Sequence, residues 1–333
     1  MPYGPGSAPV RRRFTLPPSV PSRGSGTLIG MSKPRIGLLG TGPWAERTHA
    51  PALAAHPGLE LSGVWGRRPE AAAALAATHD TTAHSGEAGL DALFAESDAI
   101  AFALPPDVQA PLAARAAAAG CHLLMDKPVA TTVAGAREVA EAAEAAGVFS
   151  VVFCTMRFAA KTASWIDEQA AKGDWFTAHA YWLGALYGTG ANSEFAESPW
   201  RREKGGLWDV GPHALSVLIP LLGDVTEVTA VRSEPDLTHL VLHHTSGASS
   251  SAALSLSAPK AGGGTAVLLS GEHGTTSLPT DAGDPVTSFE AAIDALLEAI
   301  RTGRPHDVDV RFGLRLTEIL AEAEAQVAAR AAK

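Results

Sequence analysis

The chain is poor in cysteine, with two in 333 residues, Cys121 and Cys154. That excludes a disulfide scaffold and a multi-cysteine zinc module. No uncharged apolar run reaches the roughly 18 to 20 residues that a membrane helix needs. Neither a nucleophile-elbow serine motif nor a phosphate loop ending in Gly-Lys-Ser/Thr occurs. Positive charge is also short: 26 Lys and Arg against 35 Asp and Glu give a net charge of -9. A nucleic-acid partner is excluded on that ground, because the phosphate backbone rewards a basic surface. What is present is globular in character, with 46% hydrophobic and 18% charged residues. At roughly 150 residues per domain the length predicts about two domains. The expectation is a cytoplasmic protein with a small-molecule site and no membrane contact.

Residues 1–30 are different material. They hold six prolines, five glycines, four serines and four arginines, and no Asp or Glu. Such a stretch buries too little apolar surface to offset its ordering entropy. Arg11-Arg12-Arg13-Phe14 has the look of a twin-arginine export signal. However, Pro17, Pro18, Pro21 and Arg23 interrupt the apolar region such a signal requires. The expectation is a disordered leader, or an upstream start with the working one at Met31.

From Arg35 short apolar strands alternate with helical stretches. Strands are expected at 35–39, 59–65, 99–104, 121–125 and 149–154. Helices are expected from about Trp44, with Pro51 as a break, and over 69–78, 111–119 and 131–146. Unbroken apolar strands alternating with helices predict a parallel sheet covered on both faces. After about Phe158 the rhythm changes to longer strands at 175–186, 227–232, 237–244, 249–257 and 265–270. Ser246-Gly247 and Gly262-Gly263-Gly264 fit hairpin turns of an antiparallel sheet. Helices return near 212–222, 288–301 and 313–332. The expected divisions are therefore a leader over 1–30, a dinucleotide-binding domain over 31–157 and an α+β substrate and assembly domain over 158–333.

The first strand runs into Gly40-Thr41-Gly42-Pro43-Trp44-Ala45, a G-x-G-x-x-A sequence opening a helix. Gly40 permits the tight turn and Gly42 lets backbone approach a pyrophosphate. Ala45 is small enough for close helix–strand packing, and free N–H groups at the positive helix end meet the phosphates. The second strand ends at Trp65 and continues Gly66-Arg67-Arg68. An NAD site places an Asp or Glu there to hold the ribose 2′-hydroxyl. Glycine followed by two arginines instead suits a 2′-phosphate, so NADP(H) is expected over NAD(H).

Strand 121–125 delivers Asp126-Lys127-Pro128 at its carboxyl end, the edge where an open parallel sheet binds ligands. Further on, Gly205 to Gly211 reads as a loop feeding a helix that starts at Pro212. His213 then lies in the first turn, where the positive dipole end disfavours its protonation. Asp209 stands just outside the same helix end.

At these residues the chain resembles the glucose-fructose oxidoreductase, inositol dehydrogenase and rhizopine-catabolism (Gfo/Idh/MocA) family. The resemblance runs from Met31 to about Ala325. It rests on the glycine motif, Leu104-Pro105-Pro106, Asp126-Lys127-Pro128, Arg157-Phe158, Asp209 to His213, Gly271-Glu272-His273-Gly274 and Ile300 to Pro305. It implies a Rossmann-type dinucleotide-binding domain plus an α+β domain with an open-faced antiparallel sheet, which commonly forms dimers or tetramers. It implies that Lys127 contacts substrate and nicotinamide ribose, that His213 is the general acid/base and that Asp209 supports substrate binding. The cofactor residues would be Gly40 to Ala45, Gly66, Arg67, Arg68, Leu104, Pro105, Asp126 and Lys127. Arg157, Trp182 and Trp200 would bind substrate. Asp126 replaces the usual Glu, Gln109 a common His, Thr155 a common Asn, and Ser216 a common acid. The implied activity is NAD(P)-dependent hydride transfer to or from a sugar, polyol or related small compound, with no metal. An imine or enone reductase, or a non-catalytic nucleotide sensor, are the alternatives.

Overall fold

A computed structural model describes residues 33–188, 193–281 and 283–331, without the side chain of residue 194. The leader lies outside the described residues.

The first sheet grows from β1 (Arg35–Leu39), β2 (Glu60–Trp65), β3 (Thr82–His84), β4 (Ala99–Phe102), β5 (His122–Asp126) and β6 (Ser150–Phe153), buried over most of their length except β3, the edge strand, where Thr82 and Ala83 are exposed. Every pairing is parallel and the order is β3-β2-β1-β4-β5-β6. A parallel sheet must be covered on both faces. Helices α1 (Ala50–Ala55), α2 (Pro69–Thr78), α3 (Gly86–Glu96), α4 (Pro106–Ala118) and α5 (Val133–Ala146) supply much of that cover. The order reverses between β1 and β4, the place where such sheets bind ligands.

Two sequence expectations shift here. The helix expected at 111–119 starts at Pro106, which occupies its first turn, and Pro111 lies inside it. Burial of Gln109, Ala110, Ala113 and Ala114 holds that helix together despite the missing amide. Before α1 the chain makes a π-turn over Ala45–His49, and Pro51 opens α1 instead of breaking it. Strand β3 and helix α3 carried no clear periodic signal.

The second sheet contains β7 (Trp175–Leu183), β8 (Val225–Ser233), β9 (Leu237–His244), β10 (Ser249–Ser255), β11 (Gly264–Gly271) and β12 (Gly274–Ser277), in the order β12-β11-β7-β10-β9-β8. It is mixed, because β10 runs parallel to β7. The purely antiparallel expectation fails at that pair. A parallel partner needs a long crossover. Here α7 (Pro199–Asp209) and α8 (Gly211–Leu222) lie between β7 and β8, and the meander β8-β9-β10 then brings β10 beside β7. Helices α6 (Ala160–Lys172), α7 and α8 belong to one side of this sheet, with α10 (Val310–Ala331) against β8. Its other face leaves Tyr181, Val231, Val241 and Leu268 exposed. Helix α9 (Pro285–Thr302) packs on β6 and α1, and α10 on α5. Among the described residues no helix is long and apolar enough to cross a membrane.

Candidate active site and cofactor groove

The groove at the carboxyl edge of the first sheet is shaped by missing side chains. Gly40 has φ +129°, and a Cβ there would collide with the Ala103 carbonyl. Around Gly42 nothing lies within 4 Å of such a Cβ, so backbone faces open space. A Cβ on Gly66 would meet Thr41 Cγ2 at 2.7 Å. Gly40, Thr41, Gly42, Gly66, Arg67, Arg68, Leu104 and Pro105 line a cavity of about 550 Å³. Ala45 is fully buried behind them. Arg67 and Arg68 are exposed and make no ion pair among the described residues. These features fit a dinucleotide: a bare phosphate cradle, and two uncommitted cations at the end of β2. A neighbouring hollow lined by Pro43, Trp44, Arg68, Asp126, Lys127, Trp200 and Arg201 leads on from the groove.

Beyond it lies a cavity of about 520 Å³, lined among others by Trp44, Asp126, Lys127, Thr155, Phe195, Arg201, Asp209, His213 and Lys260. Lys127 arrives from β5 and Asp209 and His213 from the α7–α8 junction, 82 residues later. Lys127 Nζ donates to the Asp209 carbonyl at 2.7 Å and to its Oδ1 at 2.9 Å. Arg201 Nε donates to Asp209 Oδ2 at 3.2 Å. Burial pushes the Asp209 carboxyl up, but Lys127 and Arg201 together outweigh it and hold the carboxyl at about 2. His213 is held at about 3, chiefly by burial and then by the Lys127 charge. The imidazole is therefore neutral near pH 7. Its ring stacks on Trp182, with centroids 6.4 Å apart and planes 13° from parallel. His213 Nδ1 is buried with no partner among the described residues, which leaves Nε2 as the nitrogen that can meet the cavity. Asp126, whose Oδ1 accepts the Lys127 amide at 2.7 Å, is pushed up to about 6 by burial.

The expected loop before His213 is in fact helical. Residues 199–209 form α7, kinked at Gly205, which has φ +64°. A Cβ at Gly205 would collide with the Asp236 carboxylate. Buried Asp236 accepts from Gly206 N at 3.1 and 3.0 Å and from Leu256 N at 2.8 Å, pinning the kink to the end of β10. Asp209 is thus the last residue of α7, while His213 sits in the first turn of α8 beside Pro212.

Gln109, a departure from the family pattern, does not face the cavity. It is fully buried in α4. Its Nε2 donates to the Asp126 and Pro128 carbonyls at 2.9 and 3.1 Å, and its Oε1 accepts from Asp126 N at 3.0 Å. It clamps the turn that presents Lys127. Thr155 does line the cavity. Of the three expected substrate residues, Trp182 backs the His213 ring and Trp200 lines the passage from the groove. Arg157 is turned away, with Nη2 on Asp307 at 2.6 Å. Sequence reasoning missed Arg201, whose guanidinium lies over Trp200 at 4.8 Å and Phe195 at 5.7 Å. The acids of the C-terminal helix carry a second unforeseen role. Glu324 in fact accepts from Trp208 Nε1 at 3.0 Å and Lys204 Nζ at 3.1 Å, tying α10 to α7. Among the described residues no cluster of three His, Cys, Asp or Glu is placed to hold a metal ion.

Residues 34–153 match a family described as an oxidoreductase family with an NAD-binding Rossmann fold, GFO_IDH_MocA. The match spans the first sheet, β1 to β6, and over that stretch the chain is similar to the Gfo/Idh/MocA oxidoreductases. An uncharacterized oxidoreductase of Escherichia coli (strain K12), YdgJ, is 27% identical over 238 residues, covering 63% of this chain and 62% of the relative. The dTDP-3,4-didehydro-2,6-dideoxy-alpha-D-glucose 3-reductase of Streptomyces violaceoruber is 35% identical over 116 residues, 34% of this chain and 33% of that one. These alignments span less than two thirds of the relatives' length. The crystal structure of an oxidoreductase domain protein from Kribbella flavida superposes with a TM-score of 0.78 at 20% identity, covering 90% of this chain and 98% of that one. At such identity the likeness speaks for the fold.

Proposed function

We propose that the protein is an NADP(H)-dependent oxidoreductase acting on a carbinol or carbonyl carbon of a sugar, a polyol or a related small compound. One observation carries this reading: Lys127, Asp209 and His213, from two distant parts of the chain, meet in one cavity beside a glycine-shaped groove. The dinucleotide would lie along Gly40 to Trp44, between Gly66 and the Leu104-Pro105 wall, and supply or accept a hydride. Arg67 and Arg68 would grip a 2′-phosphate, which an acid at position 66 would repel. Domain limits at 31–157 and 158–333 are part of the same reading.

The chain's own groups supply the proton chemistry. His213, neutral at working pH, takes the hydroxyl proton in oxidation and returns one in reduction. Such positioned help is typically worth about 10²- to 10⁴-fold. Lys127 donates to the same oxygen and stabilises its developing negative charge. Ionised Asp209 fixes the Lys127 ammonium in place. The exposed apolar side chains of the second sheet support a homodimer or homotetramer formed through that face, in the cytoplasm.

The test is a turnover screen with sugars, inositols and cyclic imines, joined to titrations of NADPH and NADH. NADPH is expected to bind at least about tenfold more tightly, from the extra charge-assisted contacts. Turnover is expected with at least one hydroxyl or keto compound. A clear NADH preference overturns the cofactor assignment. Turnover of imines alone overturns the substrate class, and cofactor binding without any turnover favours a sensor.

A further inference from the structure

The cavity carries more positive charge than hydride chemistry requires. Lys127, Arg201 and Lys260 all line it, against Asp126 and Asp209. Both carboxylates are already engaged. Asp209 holds Lys127 and Arg201, and Asp126 accepts the Lys127 amide. Arg201 spends only Nε on Asp209, so its two terminal nitrogens have no partner among the described residues. Stacking on Trp200 and Phe195 holds its guanidinium plane in position. Lys260 stands on a short 3₁₀ turn, Lys260–Gly262, after β10, and it too has no hydrogen-bond or ion-pair partner among the described residues.

Arg201 is also a wall of a second cavity of about 280 Å³, lined by Tyr187, Arg202, Arg232 and Ser257 with Glu203 and Asp236. Both Asp236 oxygens are occupied by backbone amides. Arg202 and Arg232 each commit one nitrogen, to the Ala196 carbonyl and the Thr238 hydroxyl. A chain whose net charge is -9 therefore gathers cations that keep donors to spare among the described residues on both sides of one stacked arginine. Uncommitted donors held in place are what binds carboxylate or phosphoryl oxygens.

We infer that the substrate carries an anionic group, a carboxylate or a phosphoryl ester, held between Arg201 and Lys260 while its reacting carbon lies at Lys127 and His213. This rests on the oxidoreductase reading of the same cavity. A longer phosphoryl substituent would find Arg202 and Arg232 beyond Arg201.

The test is calorimetry on the full chain, with and without saturating NADP⁺, using D-glucose, D-glucuronate and D-glucose 6-phosphate. At least one anionic probe is expected to bind about tenfold or more tightly than glucose, and the stronger arm tells carboxylate from phosphoryl. Lys260→Met is expected to shrink that anion-to-neutral ratio about tenfold, with an unchanged thermal melt showing that the fold persists. Glucose binding as tightly as both anions, or a ratio unmoved by Lys260→Met, overturns the inference. The two readings fail separately. NADP⁺ reduction with neutral polyols and no anion preference leaves the oxidoreductase standing. Anion preference without any NADP⁺ reduction leaves the anion site standing.

Discussion

The two sheets of this chain are finished in different ways. The parallel sheet buries both faces, and strands β4 and β6 are buried at every residue. The mixed sheet covers one face with helices and leaves the other with Tyr181, Val231, Val241 and Leu268 outward. The first sheet presents backbone at its carboxyl edge, where glycines make room and Lys127 follows β5. Against the second packs the α7–α8 junction, which carries Asp209 and His213 into the same cavity. On the proposed function the reacting centre is therefore a joint: neither sheet region holds a complete set of its groups.

The sharpest way to break that joint is to cut it from each side. Lys127→Ala removes the group that links β5 to the α7 end, and leaves Asp209 with Arg201 alone. His213→Ala removes the proposed proton acceptor and leaves Lys127 and Asp209 paired. Each is expected to lower kcat by about 10²-fold or more, with NADPH affinity changed far less for His213→Ala. Steady-state kinetics and cofactor titration read this directly. Unchanged turnover in both variants would remove the joint as the reacting centre.

The next test addresses the unfinished face. Val241 and Leu268 are 46% and 41% exposed, and both lie on the register row through Ser251 and His179. A double substitution, Val241→Lys with Leu268→Lys, places like charges on this row. If copies meet there, light scattering is expected to show a shift from oligomer to monomer, while the melt of the parallel sheet region is little changed. An oligomer that persists with the same mass would place its interface elsewhere.

How legible each half was follows from the range of its signals. The strand, Gly40-x-Gly42 and helix stand within a dozen residues, so local pattern and topology suffice for the first sheet. Lys127 was readable because a parallel strand's carboxyl end faces the cleft. The mixed pairing of β7 with β10 was not, because it depends on a crossover through α7 and α8. Gly205 reads as a loop residue in the sequence, because its positive φ is needed inside a helix bent around Asp236. Arg201, and the clamping role of Gln109, were not legible because their partners lie 8 and 17 residues away or more, and neither spacing has a period. At Gln109 the sequence offers only the departure from a common His, and not the hydrogen bonds that clamp the Asp126–Val129 turn.

The smallest expected effect concerns a charge at the joint itself. Asp126 is raised to about 6 by burial, from an ordinary value near 4. A carboxyl raised on folding binds its proton more tightly in the folded chain. Its contribution is therefore complete below about pH 4 and lost as pH rises through 6. By linkage that loss is on the order of 3 kcal/mol at most. His49 and His213, both lowered to about 3 by burial, act in the opposite sense over the same window, gaining stability as pH rises toward 6.5. A raw pH curve thus mixes the two. Asp126→Asn isolates one: its neutral amide keeps an oxygen to accept the Lys127 amide but cannot ionise. Denaturant unfolding at pH 4, 5, 6 and 7 is expected to show the stability of the substituted chain rising relative to the unsubstituted one across that range, then levelling. Parallel curves would mean that Asp126 is ionised throughout, and that Lys127 shares its turn with a full negative charge.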